Sequence, residues 1–172
     1  MTKKILVTYA TSYGSTAEIA QFISDALQNE HIEVELLPLR QVRSVDAYHA
    51  VILGAPIYMF HWHKQALRFL EKYRHVFENG LPVAVFAGGP FAESTEKEWQ
   101  EVRDQFEKEL AGIAWFKPAA KIVVGGKFDP QRLRLPYSLI PALKQLPASD
   151  SRDWQAIRAW AQSLPQVFKI PV

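Results

Sequence analysis

Short apolar runs alternate with longer amphipathic stretches along the whole of this chain. Residues 4–9, Lys-Ile-Leu-Val-Thr-Tyr, form a β-branched run followed by a cluster of Gly, Ser and Thr, which predicts a strand buried on both faces. In residues 15–29, Ile19, Ile23 and Leu27 recur at helical spacing with Ala20 beside them. Residues 32–37 place Ile32, Val34 and Leu36 on one side of a second strand. A third strand covers 50–54, and a helix follows over 64–77 through Leu67, Leu70, Tyr73 and Phe77. Residues 82–87 make a fourth strand, broken by Gly88-Gly89-Pro90. The clearest helix is 96–113, where Trp99, Val102, Phe106, Leu110 and Ile113 step by three and four. A fifth strand at 121–124 ends at Gly125-Gly126. Trp154, Ile157, Trp160 and Leu164 then mark a final helix that Pro165 is expected to stop.

Strands that alternate with helices imply parallel pairing, with helices covering both faces of the sheet. The expected fold class is α/β, a flavodoxin-like three-layer sandwich with a five-stranded parallel sheet in the order 2-1-3-4-5. Ligands of such sheets sit beyond the carboxyl ends of strands 1 and 3, where the winding direction reverses. The 172 residues suit a single domain, 1–172, and the only irregular tract is the proline-rich 127–150.

Composition narrows the chemistry. Cysteine is absent, which removes disulfides, thiol nucleophiles and thiolate metal sites. The net charge of +2 is too mild to imply a nucleic-acid partner. No apolar run approaches the roughly 20 residues that span a bilayer, and the N-terminal run is too short for a secretion signal, so residence in the cytoplasm is expected.

Three loops carry candidate chemistry. The first is Thr11-Ser12-Tyr13-Gly14-Ser15-Thr16, between the first strand and the first helix. A phosphate there would meet free backbone N–H groups and the positive end of the helix dipole. Gly14 permits close approach, and Thr11, Ser12, Ser15 and Thr16 offer hydroxyls. No Lys or Arg lies within the loop, and both the Walker and the dinucleotide Gly-x-Gly-x-x-Gly patterns are missing. A plainer reading is a capping box, Ser15-x-x-Glu18, at the start of the helix. The second loop, residues 54–63, crowds aromatic and sulfur side chains at one strand end, with Pro56, Ile57, Tyr58 and Phe60 set to flank a flat apolar ring. Its plain alternative is a plug packing the next helix on the sheet. In the third loop, Gly89, Pro90 and Phe91 would border the ring's polar edge, while Ser94 or Thr95 caps the helix. His61 or His63 could relay a proton near the ring, or be a satisfied loop histidine. No metal site is expected, and no catalytic acid or base is evident.

These loops resemble the flavodoxin superfamily. More narrowly, Thr-Ser-Tyr-Gly-Ser-Thr at 11–16, Gly-Ala-Pro-Ile-Tyr at 54–58, His61-Trp62-His63, Gly125-Gly126-Lys127-Phe128 and Asp153-Trp154 resemble the menaquinone-dependent protoporphyrinogen oxidase family. The resemblance implies FMN as cofactor, redox partners that include a quinone-like acceptor, and association with a membrane. Family members often carry a small residue where this chain has Phe60. Between the resemblance's late motifs, residues 127–146 interleave Lys127, Arg132, Arg134 and Lys144 with Leu133, Leu135, Tyr137, Leu139, Ile140, Leu143 and Leu146. Such a stretch suits peripheral contact with an anionic membrane, or packing on the fifth strand. The leading expectation is an FMN-dependent oxidoreductase. A one-electron carrier is the second, although such carriers use a glycine-eased backbone flip beside the flavin and no Gly lies between Ala55 and His63. A non-catalytic protein that kept the fold is the third.

Overall fold

A computed structural model describes residues 3–90 and 94–171. The chain opens with β1 (Lys4–Tyr9), α1 (Ser15–Gln28) and β2 (Glu33–Pro38). Next come β3 (Ala50–Tyr58), the two-residue β4 (His61–Trp62), α2 (Lys64–Lys72) and α3 (Arg74–Glu78). β5 (Val83–Gly88), α4 (Glu96–Ala111) and β6 (Ala120–Val124) follow. The last part holds β7 (Lys127–Phe128), the one-turn α5 (Pro141–Lys144), β8 (Ser149–Asp150) and α6 (Trp154–Val167).

The main sheet runs β2-β1-β3-β5-β6, all parallel, which is the order expected from the sequence. β4 adds an antiparallel pair to the end of β3. Alternation along the strands divides the core. Ile5, Val7, Ile52 and Phe86 pack under α1 and α6, while Leu6, Val51, Leu53 and Val85 pack under α2, α3 and α4. β3 and β5 are buried along nearly their whole length, as central parallel strands must be. β2, at the edge, is half-buried, and Lys4 bridges out to its Glu35 at 2.6 Å.

Four local expectations change. The third strand runs to Tyr58 instead of ending at Gly54, because Ala55 and Pro56 continue the register with Ala87 and Gly88. Gly54 is needed there, since a Cβ would lie 1.8 Å from the Phe86 ring. The helix over 64–77 divides at Tyr73, whose hydroxyl donates to the Val42 carbonyl at 3.3 Å while its ring packs between Phe69 and Phe77. Pro165 does not stop α6, which continues to Val167. In the last turn a proline forfeits a single intrahelical bond, and burial of its ring offsets that loss. The capping box weighed as the plainer reading at Ser15 is absent, because Gly14 is the N-cap and Glu18 turns to Arg152. Thr95 does cap α4, with Glu98 reciprocating.

Candidate functional site

β1 delivers the loop 11–16 to the carboxyl edge of the sheet, beside β3, at the point where α1 and α2 leave for opposite faces. Gly14 has φ 91°, a left-handed conformation natural to glycine, and its N–H is held by the Thr11 hydroxyl at 2.9 Å. No side chain caps α1. The first-turn N–H groups of α1 therefore remain for an external acceptor, where the helix dipole favours negative charge. Thr16 is buried, and its hydroxyl lies 3.9 Å from where a Cβ on Gly88 would stand. The loops after β1 and β5 thus meet beside Gly88.

The aromatic segment does not act as one unit. Trp62 is fully buried, donates from its indole to the Ala55 carbonyl at 3.0 Å and packs edge-on to Phe106. Ile57 lies in the same core. For these two residues the plug reading describes the geometry. Tyr58 is half-buried, shares a hydrogen bond with Ser12 and meets the Tyr13 ring edge-on at 6.1 Å. Burial pushes its phenol up to about 12, with Tyr13 and Tyr137 adding to the rise, so Tyr58 stays protonated at neutral pH. Met59 and Phe60, 75% and 70% exposed, form a two-residue hairpin turn with positive φ at both positions, 46° and 66°.

The histidines are engaged elsewhere. His63 is the N-cap of α2, its Nδ1 accepting from the Gln65 N–H at 3.2 Å, and burial lowers its pKa. His61 faces Glu109 of α4 at 3.2 Å, and the same carboxylate accepts the Trp62 N–H at 3.2 Å. Glu109 lies 48 residues from His61 in sequence, too far for local spacing to reveal. Gly89 and Pro90 are tied to the end of β6 through the Gly89 N–H to Val124 O and the Gly126 N–H to Pro90 O. Phe91 lies outside the described residues.

Sequence reasoning assigned the segment 127–150 no part in the ring or phosphate site. β7 and β8 pair antiparallel and close it into a strap that folds back across the site. Its base is fixed by Arg152, whose 4% exposed side chain bonds Asp150 at 2.6 Å and also reaches Glu18 of α1. The strap's Tyr137 donates to Met59 Sδ at 3.6 Å. Arg132 brings its Nη1 within 3.6 Å of where a Cβ on Gly14 would stand. The loop itself carries no cation, as its sequence says, but the fold supplies one from 118 residues downstream. Its only sequence signal was a basic, apolar composition. Between strap and loops lies a cavity of about 470 Å³, walled by Tyr13, Tyr58, Met59, Leu133, Tyr137 and Leu143. Its size and apolar lining suit a flat heterocycle, and Ser12 and Ser15 at its floor face the open turn of α1. These residues fit a phosphorylated flavin.

Comparison with known proteins agrees with this geometry. The flavodoxin domain family matches residues 6–137. The quinone-type protoporphyrinogen IX dehydrogenase of Escherichia coli is 21% identical over 98% of both chains. Among solved structures, an archaeal flavodoxin superposes with a TM-score of 0.55 at 13% identity, over 96% of this chain and 99% of its own. Rubredoxin oxygen:oxidoreductase from Desulfovibrio gigas gives 0.59 at 17% identity; the match covers 98% of this chain but 37% of that longer one. The open turn of α1, the sheet order and the family match converge: the chain belongs to the flavodoxin domain family, a family of flavin-binding redox proteins.

Proposed function

We propose that this protein is an FMN-dependent oxidoreductase that passes electrons to a quinone-like acceptor. FMN is the cofactor that membership of the flavodoxin family carries. The observation that carries the reading is the uncapped first turn of α1 opening into an apolar cavity walled by Tyr13, Tyr58 and Tyr137. Thr11, Ser12, Tyr13, Gly14, Ser15 and Thr16 would hold the phosphate. Pro56, Ile57, Tyr58, Phe60, Gly89, Pro90 and Phe91 would border the ring, Ile57 from the core side through its backbone. When bound, the flavin supplies the capacity to accept and release electrons.

The chain's own residues bind, orient and exclude water. Tyr58, neutral and hydrogen-bonded to Ser12, presents a fixed aromatic wall without adding charge beside the ring. Tyr137 and Leu133 of the strap cover the opposite side and restrict solvent. Met59 and Phe60 leave an apolar rim at the mouth, suited to an apolar acceptor. Leu135 and Leu139 of the strap are also exposed, at 72% and 71%. We infer that this rim makes peripheral contact with an anionic membrane surface, where each strap cation adds on the order of 1 kcal/mol. Among the described residues no helix is long and apolar enough to cross a membrane.

Fluorescence quenching on titration with FMN tests the cofactor. Replacing Thr11 and Thr16 together by Ala should weaken FMN at least tenfold, and unchanged affinity would reject the phosphate assignment. Oxidation of the reduced holoprotein by soluble quinones tests the acceptor. A redox titration resolving two well-separated one-electron steps would favour the carrier reading instead. Sedimentation with anionic liposomes tests the membrane contact.

A further inference from the structure

The chain has no cysteine and two methionines, Met1 and Met59, so Met59 carries its one sulfur beyond the first residue. Met59 is 75% exposed, takes the first position of the hairpin turn between Tyr58 and His61, and lines the apolar cavity of about 470 Å³. The turn is pinned at its base, where Trp62 is buried and Glu109 of α4 accepts from the Trp62 N–H. Its φ of 46° is one that a two-residue hairpin turn ordinarily gives to Asn or Gly. A methionine left so exposed gains little packing against that local cost, which points to a use for the side chain itself.

The sulfur touches the strap: the Tyr137 hydroxyl donates to Met59 Sδ at 3.6 Å. A thioether is a weak acceptor. A sulfoxide would place a strongly polar S–O oxygen at the same position, and the Tyr137 O–H already faces it. Exposure leaves the thioether open to hydroperoxides from solution. A sulfur lone pair attacks one peroxide oxygen, and the S–O bond forms as the O–O bond breaks. Sulfur gives up two electrons to the peroxide. With hydrogen peroxide, the second oxygen leaves with both protons as water.

We propose that Met59 is a redox-sensitive modification site, at which a hydroperoxide converts the thioether to the sulfoxide. The stronger acceptor tightens the strap on the hairpin through Tyr137. The same change makes half of the Met59–Phe60 rim polar, so an apolar acceptor meets a less favourable mouth. The effect on the acceptor rests on the oxidoreductase reading, whereas the effect on the strap does not.

The test treats the full chain with hydrogen peroxide, without and with FMN, and locates added oxygen by mass spectrometry of its peptides. Met59 should gain one oxygen atom at a rate within about threefold of free methionine, as its exposure requires. Trypsin should then cut after Arg132, Arg134 and Lys144 at least threefold more slowly, and a methionine sulfoxide reductase should restore the original rate. Tyr137→Phe keeps the ring and lacks the donor, so its Met59 should oxidise while cleavage stays unchanged. In Met59→Leu peroxide should alter neither cleavage nor quinone oxidation, which separates Met59 from Met1. With FMN bound, oxidation should raise KM for an apolar quinone at least threefold and change kcat less. No oxygen at Met59 under conditions that oxidise free methionine would overturn the proposal. A sulfoxide that leaves cleavage unchanged, or leaves KM unchanged in protein that quinone does oxidise, would also overturn it. Wild-type protein that binds no FMN, or that no quinone oxidises, would instead remove the oxidoreductase reading. The mass and cleavage measurements need no flavin and would still decide the modification.

Discussion

At Met59 and Phe60 the backbone takes a conformation that side chains with a Cβ resist, at a cost of about 1–2 kcal/mol per residue. Two-residue hairpin turns with positive φ at both positions favour Asn-Gly. Replacing Met59 by Asn and Phe60 by Gly together should therefore stabilise the protein, by about 1–2 kcal/mol in denaturant unfolding. The same change removes the two exposed side chains at the cavity mouth, so oxidation by an apolar quinone should slow. Faster unfolding with unchanged quinone oxidation would show that the turn serves neither role. His63 provides a second residue-scale test. Its pKa is lowered by burial, so the folded state resists the proton that the unfolded state accepts. Its neutral ring accepts the Gln65 N–H, a bond that protonation destroys. Stability contributed by this cap is thus fully present above the ordinary histidine pKa of about 6.5 and declines as pH falls toward the lower folded value. His63→Asn keeps a capping acceptor that does not titrate, and should flatten the fall in melting temperature between about pH 7 and 5.

The strap is the element whose behaviour the sequence concealed. Strands, helices and their order were legible because the helices present a period of 3.6, as in Ile19, Ile23 and Leu27 of α1 or Phe106 and Leu110 of α4, and the central strands are short apolar runs between them. The turn at 11–16 was legible as the link between β1 and α1, because a Gly-Ser-Thr cluster between a strand and a helix is local. Glu109 beneath His61, Arg132 above Gly14 and Arg152 across Glu18 were not, because each is a contact between distant segments that no periodicity records. Arg152 fixes the strap's base from a nearly buried position. Its hydrogen bond holds the Asp150 carboxyl below the usual carboxylate range. That contribution is present above the unfolded value of about 3.9 and is lost as pH falls through the lowered folded one. Arg152→Gln should cost about 1–2 kcal/mol at neutral pH, since both carboxylate partners are half-exposed. Cleavage by trypsin within 127–146 should accelerate in the variant while the sheet stays resistant, and the stability gap from wild type should narrow in strong acid.

For the molecule as a whole, cofactor binding must couple to stability. A ligand that binds only the folded state adds RT ln(1 + [L]/Kd), about 2.7 kcal/mol at a hundredfold excess over Kd. In a chain of 172 residues each kcal/mol moves the melting temperature by roughly 2–4 °C, so FMN should raise it by about 5–10 °C. Riboflavin has the same ring and lacks the phosphate, so the difference between the two ligands isolates what the α1 turn and Arg132 contribute. A cradle of backbone N–H groups and hydroxyls alone would leave that difference unchanged in Arg132→Gln. A guanidinium beside Gly14 predicts that the variant narrows it, and that wild-type affinity for FMN falls with added salt more steeply than affinity for riboflavin. Melting curves with each ligand, for both proteins at two salt concentrations, measure whether the strap's charge reaches the phosphate.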